Sequence, residues 1–199
     1  MSKDVRKKII EAATKAFSVY GYEKTTVEDI ARLADKAKTS VYYYFDGKAG
    51  IFAAALEEEL RTMNAALEEY RSTAPEHIIR NFREYLKRRM EVVLESRLYR
   101  KFLPEMFRRD NESELSGIFI KARRSFDLDE RQFFSAICFY ARAAGALDSK
   151  ARPEIFAEML GMVLNGAEMQ ILLSDDKAAS MATYEEMVDF ITNTNNFSL

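Results

Sequence analysis

Three helical segments separated by turns fill the first 48 residues, and they constrain the fold more than any other feature of the chain. Apolar residues recur at helical spacing up to Tyr20, and Gly21 then provides a C-terminal stop. A second apolar stripe begins at Val27, and a third segment begins near Lys38. A helix, a short helix, a tight turn and another short helix within about 45 residues predict a helix-turn-helix unit.

Two local signals mark the ends of the second helix. The stretch from Thr25 to Glu28 matches a capping box, in which a threonine hydroxyl and an acid three residues later satisfy each other's free backbone donors. Residues 35–37 predict a tight turn, because Asp35 tolerates left-handed backbone angles better than most residues do.

The third segment carries four consecutive aromatic residues, and they cannot all face one core, because a helix buries about one residue in three or four. On a helix that begins near Lys38, the inward face carries Val41, Tyr44 and Phe45. The outward face carries Lys38, Thr39, Tyr42 and Tyr43. Lysine and tyrosine reach phosphates, and threonine and serine read base edges, so the outward face predicts contact with a DNA groove.

Residues 6–52 read RKKIIEAATKAFSVYGYEKTTVEDIARLADKAKTSVYYYFDGKAGIF. The pattern is carried by Arg6, Ile9, Ala12, Ala13, Phe17, Gly21, Tyr22, Thr25, Thr26, Asp29, Ile30, Ala31, Tyr42, Tyr44, Phe45 and Lys48. As a set, these residues resemble the N-terminal domain of the TetR family of bacterial one-component transcriptional regulators. The resemblance implies an all-α protein with a three-helix helix-turn-helix DNA-binding domain at residues 1–48. A larger helical ligand-binding and dimerisation domain would follow at residues 49–199.

The same resemblance implies a set of DNA-contacting residues. Thr25 and Thr26 would place the start of the second helix on phosphate, and Tyr42 and Lys48 would hold the DNA backbone. The major groove would be faced by Lys38, Thr39, Ser40 and Tyr43.

The turn before the third helix departs from the family pattern. Asp35-Lys36-Ala37 stands where the family usually has Gly-Val-Ser, so the hydroxyl that usually caps the recognition helix is missing. Replacing such a cap by alanine typically costs about 1 kcal/mol. Ala49 also stands where an acidic residue is common. These changes leave the fold unaffected and put the pose of the recognition helix in question.

Composition extends the all-α prediction to the whole chain and excludes several functions. Only 7 Gly and 3 Pro interrupt 199 residues. Cys138 and His77 are the only residues of their types, which excludes the usual zinc sites and leaves no convincing nucleophile–base pair. We therefore expect no catalytic residue, no metal and no cofactor. The longest clean apolar run, Ile51–Leu56, is far shorter than the roughly 20 residues that span a bilayer, so we expect a cytoplasmic protein without a membrane partner.

Charge is distributed unevenly along the chain. The net charge is −2, yet residues 1–48 hold ten basic and seven acidic side chains. The N-terminal region is therefore the better partner for a polyanion.

Arg89 is the most unusual residue of the larger half, because it lies within the apolar arc of a helix predicted to begin at Pro75. A charge in that place needs a partner. It forms an ion pair with an acid of another helix, buries its aliphatic stem with the charged head in solvent, or serves as a polar anchor in a ligand cavity. The candidate ligand-binding residues are Phe82, Tyr85, Arg89, Phe102 and Met106, which ordinary core packing explains equally well.

Two later helices, near residues 130–147 and 153–173, are apolar around most of their circumference. One contact within the chain cannot cover faces this wide. Gly161 and Gly166 each cost about 1 kcal/mol within a helix, which is easier to understand where two backbones approach closely. These helices predict a two-fold, four-helix homodimer interface, and the alternative is a deeply buried helix pair in a monomer. Thr183 and Glu186 predict the capping box of a short final helix.

The combined interpretation is a ligand-responsive, DNA-binding transcriptional regulator, most often a repressor in this family. It would bind an inverted-repeat operator as a homodimer and be released by an unidentified small molecule. The alternative is a helical small-molecule-binding or interaction protein without specific DNA recognition, and an enzyme built on carboxylates is a distant third.

Overall fold

The computed structural model describes residues 2–72, 77–108, 114–145 and 147–193. Over these residues the chain forms nine α-helices and one 3-10 turn, Glu68–Arg71, which confirms the all-α prediction. The helices are α1 (Ser2–Tyr20), α2 (Val27–Leu33), α3 (Lys38–Tyr44), α4 (Lys48–Ala65), α5 (Ile78–Glu95), α6 (Tyr99–Arg108), α7 (Glu114–Ala143), α8 (Pro153–Leu173) and α9 (Lys177–Thr192). Pro75, the predicted first residue of the helix that carries Arg89, lies outside the described residues.

The chain divides into two compact units. Unit 1 comprises residues 1–62 and 96–124, and unit 2 comprises residues 63–95 and 125–199. The predicted division into a DNA-binding domain at residues 1–48 and a ligand-binding and dimerisation domain at residues 49–199 assigns functions, which the two units do not test. It therefore stays a prediction.

Unit 1 contains the predicted helix-turn-helix. Helix α1 packs against α2 and α3, and the core between them includes Ile9, Phe17, Ile30 and Val41, all fully buried. Gly21 ends α1 as predicted, because its φ of +81° is left-handed and its N–H donates to the carbonyl of Phe17 at 3.0 Å.

The capping box of α2 lies one residue later than predicted. Thr26 is the N-cap, its hydroxyl accepts from the backbone N–H of Asp29 at 3.1 Å, and the Asp29 carboxylate accepts from the backbone N–H of Thr26. Thr25 is instead buried, and its hydroxyl donates to the carbonyl of Gly21 at 2.7 Å. Both registers fit the local sequence, and burial of Thr25 in the core of unit 1 selects the second.

Two later helices also differ from the sequence prediction. Residues 114–143 form one continuous helix, α7, rather than separate segments, and it ends before Leu147, beside Gly145, whose φ is +73°. Helix α9 begins at Lys177, where Asp176 is the N-cap and accepts from the N–H of Ala179 at 3.0 Å. The predicted Thr183–Glu186 capping box is therefore wrong, because that stretch lies within α9.

Unit 2 buries one face of α8 and exposes the other. Ala157, Leu160, Leu164 and Ile171 are buried. The exposed apolar side chains of α8 include Ile155, Met159, Met162 and Val163, which we call the α8 face. Among the described residues, α8 is the one helix that is long and apolar enough to cross a bilayer by length and composition. Of its most apolar 18-residue stretch, 28% is buried. It also carries Glu154, Glu158 and Glu168, and ionisable groups are costly in a bilayer.

Candidate nucleic-acid interface

Helix α3 sorts its side chains between an inner and an outer face as the sequence predicts. Val41 is fully buried and Phe45 is 7% exposed, whereas Tyr42 and Tyr43 are 50% and 81% exposed. Tyr44 is half-buried, and its ring lies edge-on to Tyr43 with centroids 4.9 Å apart. The outer face of α3 is therefore cationic, hydroxylic and aromatic, and it consists of Lys38, Thr39, Tyr42 and Tyr43.

The turn before α3 holds that face in place without a side-chain cap. Asp35 adopts a left-handed φ of +52°, which confirms the predicted tight turn, and the N–H of Lys36 donates to the carbonyl of Ala31 at 2.9 Å. Ala37 is the N-cap of α3 with extended backbone angles, and its methyl group offers no acceptor to the free donors of α3. The predicted loss of the cap is confirmed.

The two predicted phosphate-contacting threonines lie in different environments. Thr25 is 1% exposed and its hydroxyl is used inside the protein, whereas Thr26 is exposed at the start of α2. The geometry places Thr25 as a support of the α1–α2 turn and leaves Thr26 accessible to a partner.

Lys38 is held by a carboxylate that the sequence interpretation did not include. Its ammonium forms an ion pair with Glu28 of α2 and lies 5.7 Å from the ring centroid of Tyr42. The hydrogen bond between the two side chains raises the pKa of Lys38 and lowers the pKa of Glu28. Both groups are therefore charged at neutral pH. Thr39 is exposed beside them, and Ser40 is half-buried.

Lys48 is the first residue of α4, and it ties α4 to the α1–α2 turn. Its ammonium donates to the carbonyls of Tyr22 and Glu23 at 3.0 and 3.5 Å and lies 4.3 Å from the ring centroid of Tyr22. Burial, together with the nearby Glu114 carboxylate, raises the pKa of Tyr22 to about 12. Lys48 thus helps to fix the start of α2 relative to α4.

Arg89, in unit 2, has the partners that an ion-pair interpretation requires. Its guanidinium is fully buried and binds Glu130 of α7 through two nitrogens, at 2.5 and 3.1 Å. A third nitrogen lies 2.5 Å from a carboxylate oxygen of Glu168 of α8. The hydroxyl of Tyr85 also donates to Glu130, at 2.6 Å. We call Tyr85, Arg89, Glu130 and Glu168 the Arg89 cluster.

Electrostatics stabilise the charged form of this cluster. Burial alone lowers the pKa of Arg89, but the Glu130 and Glu168 carboxylates outweigh it and raise that pKa well above its usual value. Burial, and then the charge of Glu130, raise the pKa of Tyr85, so its phenol stays protonated and remains a donor. Within unit 2 the cluster joins α5, α7 and α8.

The predicted ligand-binding residues are divided between the two units. Phe82, Tyr85 and Arg89 are buried in unit 2, where Phe82 packs against Phe133 and Phe134. Phe102 and Met106 lie in unit 1, where the Phe102 ring packs on Phe52 with centroids 4.8 Å apart. A role for any of them in ligand binding stays a prediction.

Unit 2 also contains a cavity of ≈ 220 Å³ between α7 and α8. It is lined by Asp127, Glu130, Arg131, Phe134, Ala157, Glu158, Gly161, Met162 and Asn165. Glu130 therefore lines the cavity and also accepts a hydrogen bond from Arg89. Over the residues described, no group of three or more His, Cys, Asp or Glu side chains is arranged to hold a metal ion.

The segment that contains the outer face of α3 matches a known protein family. The sequence model of the family described as "Bacterial regulatory proteins, tetR family" matches residues 9–55, which include α2 and α3. The family resemblance inferred from the sequence is therefore confirmed over this segment.

Curated relatives match part of the chain. The chain is 38% identical over 69 residues to YhgD, an uncharacterized HTH-type transcriptional regulator of Bacillus subtilis, covering 35% of this chain and 36% of that protein. It is 35% identical over 88 residues to the HTH-type transcriptional regulator RutR of Escherichia coli, covering 44% of this chain and 40% of RutR. The matched segments thus span less than half of each relative's length.

Solved structures resemble nearly the whole chain. A TetR transcription regulator from Haloarcula marismortui superposes with a TM-score of 0.73 at 19% identity, covering 96% of this chain and 97% of that one. FadR from Bacillus subtilis in complex with stearoyl-CoA gives 0.70 at 16% identity, covering 94% and 97%. The complex of SmeT with triclosan gives 0.71 at 21% identity, covering 94% and 91%. At these identities the likeness shows the fold alone.

Proposed function

We propose that this chain, which belongs to the tetR family of bacterial regulatory proteins, is a ligand-responsive transcriptional regulator that binds an inverted-repeat operator as a homodimer. The observation that carries the proposal is the exposed outer face of α3, supported from within by buried Val41 and Phe45. Two tyrosines at 50% and 81% exposure have no role in the core of unit 1, and they suit phosphate and base contacts in a major groove.

In this proposal some residues of the interface contact base edges, and others bind the DNA backbone and position the protein on it. Lys38, Thr39, Ser40 and Tyr43 face base edges. Thr26, Tyr42 and Lys48 hold the DNA backbone, and Thr25 acts through the turn that it supports. The free donors at the start of α4, next to Lys48, add a positive end that favours phosphate.

The homodimer would form through α8 and the C-terminal part of α7, residues 130–143. The α8 face presents Met159 and Met162 at 61% and 66% exposure, and Phe139 of α7 is 61% exposed. A Cβ added at Gly161 or Gly166 would meet nothing within 4 Å in the single chain. A second copy therefore has an apolar surface to cover and room for a close backbone approach. Two recognition helices would then enter successive major grooves, about 34–36 Å apart.

A small-molecule effector would act through unit 2. Its cavity of ≈ 220 Å³ is smaller than the roughly 300–1,000 Å³ of typical small-molecule sites, so an effector would select a conformation in which this space is larger. Phe82, Tyr85 and Arg89 are the unit 2 residues we assign to effector response. Loss of DNA binding in that conformation would make the protein a repressor released by its ligand, acting in the cytoplasm.

The decisive experiment is a mobility-shift titration of the full chain with duplex DNA flanking its own gene, at two salt concentrations. We expect a saturable shift that weakens as salt rises, because lysine–phosphate contacts release counterions. Absence of any shift contradicts the proposal. Small-molecule binding without a shift would instead favour a helical ligand-binding protein that lacks DNA recognition.

A further inference from the structure

Glu28, which forms an ion pair with Lys38, has no part in the proposed function. Glu28 lies in the first turn of α2, and Lys38 is the first residue of α3. Their side chains are 57% and 49% exposed, and the Lys38 ammonium also lies over Tyr42. A carboxylate therefore lies on the surface that is expected to meet a polyanion.

A contribution to the stability of the fold does not explain why this ion pair is present. Exposed ion pairs contribute little to folding, since water screens both charges. The buried side chains Val27, Ile30, Ala31 and Val41 already hold α2 and α3 together. The pair can consequently open or exchange partners at little cost to the fold.

A carboxylate in this position weakens binding to any DNA that places only phosphate next to it. When Lys38 leaves Glu28 for a phosphate, the Glu28 carboxylate remains next to the polyanion without a counter-charge. Such a repulsive element lowers affinity for every sequence that supplies no donor to Glu28, and it is one of the two ways to build specificity.

A G·C base pair satisfies both members of the pair at once. In the major groove guanine presents its N7 and O6 acceptors, which suit a lysine ammonium, and cytosine presents its N4 amino donor, which suits a carboxylate. An A·T pair also offers a donor, the adenine N6 amino group, but this donor lies between the N7 and O4 acceptors. The pair therefore presents neither two adjacent acceptors to the lysine nor a donor on the pyrimidine side to the carboxylate.

We propose that Glu28 and Lys38 act as one reading unit for a G·C base pair in each half-site, with Glu28 as the specificity-determining residue. This rests on the proposed DNA-binding function. Lys38 donates to guanine, Glu28 accepts from cytosine, and unmatched DNA leaves the carboxylate facing phosphate.

The test is selection of binding sites from a randomised duplex library by the full chain and its variants. Wild type should enrich one G·C pair per half-site. Glu28→Gln should bind unselected duplex about threefold to tenfold more tightly, with a salt slope steeper by about 1, because Lys38 is then available to phosphate. Its preference at the G·C position should fall by on the order of tenfold.

Two further variants separate reading from a general charge effect. In a Lys38→Met background, Glu28→Gln should relax the preference at the G·C position by less than it does in wild type, because the lysine that positions the Glu28 carboxylate and donates to guanine is already missing. Glu58→Gln is the matched control, because it removes one carboxylate of unit 1 from an exposed pair with Arg61 on α4. It should select the same sites as wild type. Circular dichroism melts verify that every variant is folded.

The outcomes distinguish this inference from the proposed function. If wild type binds selectively and Glu28→Gln keeps the same G·C preference, the inference is overturned and the proposed function stands. The same holds if Glu28→Gln relaxes the preference equally with and without Lys38. If wild type binds no duplex, both are overturned.

Discussion

Arg89 and Lys38 both form ion pairs with glutamate side chains, yet the two sites differ in how far they are exposed to solvent. Arg89 is fully buried in unit 2, with Glu130 and Glu168 at 6% and 0% side-chain exposure. Lys38 and Glu28 in unit 1 are about half exposed. Only the first pair is enclosed by other side chains.

Burial decides what each ion pair does. Removing one member of a buried pair leaves an uncompensated charge in a medium of low polarity, so the Arg89 cluster fixes α5, α7 and α8 to one another. An exposed pair can exchange its partners for water, phosphate or a base edge at little cost. The same chemistry therefore serves structure in unit 2 and is available for recognition in unit 1.

The largest expected effect is on stability, at Arg89. Arg89→Ala leaves Glu130 and Glu168 buried without a cation, and we expect a loss of about 3–5 kcal/mol in the free energy of unfolding. Urea unfolding at fixed protein concentration measures it. The neighbouring Arg88→Ala is the matched control, because Arg88 pairs with Glu91 and Glu95 at the surface and should cost less than about 1 kcal/mol. Equal losses in the two variants would show that burial does not distinguish these arginines.

The next effect concerns the α8 face, where an exposed surface is proposed to become buried. Met162→Glu places a charge in the centre of the proposed homodimer interface, and we expect the dimer dissociation constant to rise about 30-fold or more, as for an interface hot spot. Sedimentation at micromolar concentration measures this. Ile120→Glu is the control, because Ile120 of α7 is 67% exposed, close to the 66% of Met162, and lies in unit 1. A monomeric wild type, or equal effects of both changes, contradicts the interface.

The smallest effect is expected at the uncapped start of α3. Ala37 already has the extended backbone of an N-cap residue, so Ala37→Ser should supply the missing acceptor and stabilise unit 1 by about 1 kcal/mol. A thermal melt checks the gain. Ala65→Ser is the control, since Ala65 is exposed like Ala37 and lies at the C-terminal end of α4, where a hydroxyl offers no comparable cap. An unchanged melting temperature for Ala37→Ser would mean that the free donors of α3 already have partners in solution.

Local features of the sequence predicted much of the interface. Helical periodicity placed Val41 and Phe45 inward and Tyr42 and Tyr43 outward, because the turn at Asp35 fixes where α3 begins. The capping box was misplaced by one residue because two overlapping stretches satisfy the same motif, and only burial of Thr25 distinguishes them.

Contacts distant in sequence could not be predicted in the same way. The need of Arg89 for a partner follows from its position in an apolar arc, but Glu130 is 41 residues away and no local pattern selects it. Glu28 was overlooked for a related reason, since its pairing with Lys38 depends on the angle between α2 and α3. The continuity of α7 likewise depends on packing along the helix rather than on a motif.

The most direct test of the central claim is an anisotropy titration of the wild-type chain and four variants against a duplex selected by the wild type, at two salt concentrations. We expect Tyr42→Phe and Lys48→Ala to weaken binding to all sequences, with the salt slope of Lys48→Ala reduced by about 1. Lys38→Ala and Tyr43→Ala should also change the preferred sequence. Unaltered affinity and preference in all four variants would contradict the assignment of the outer face of α3 to DNA.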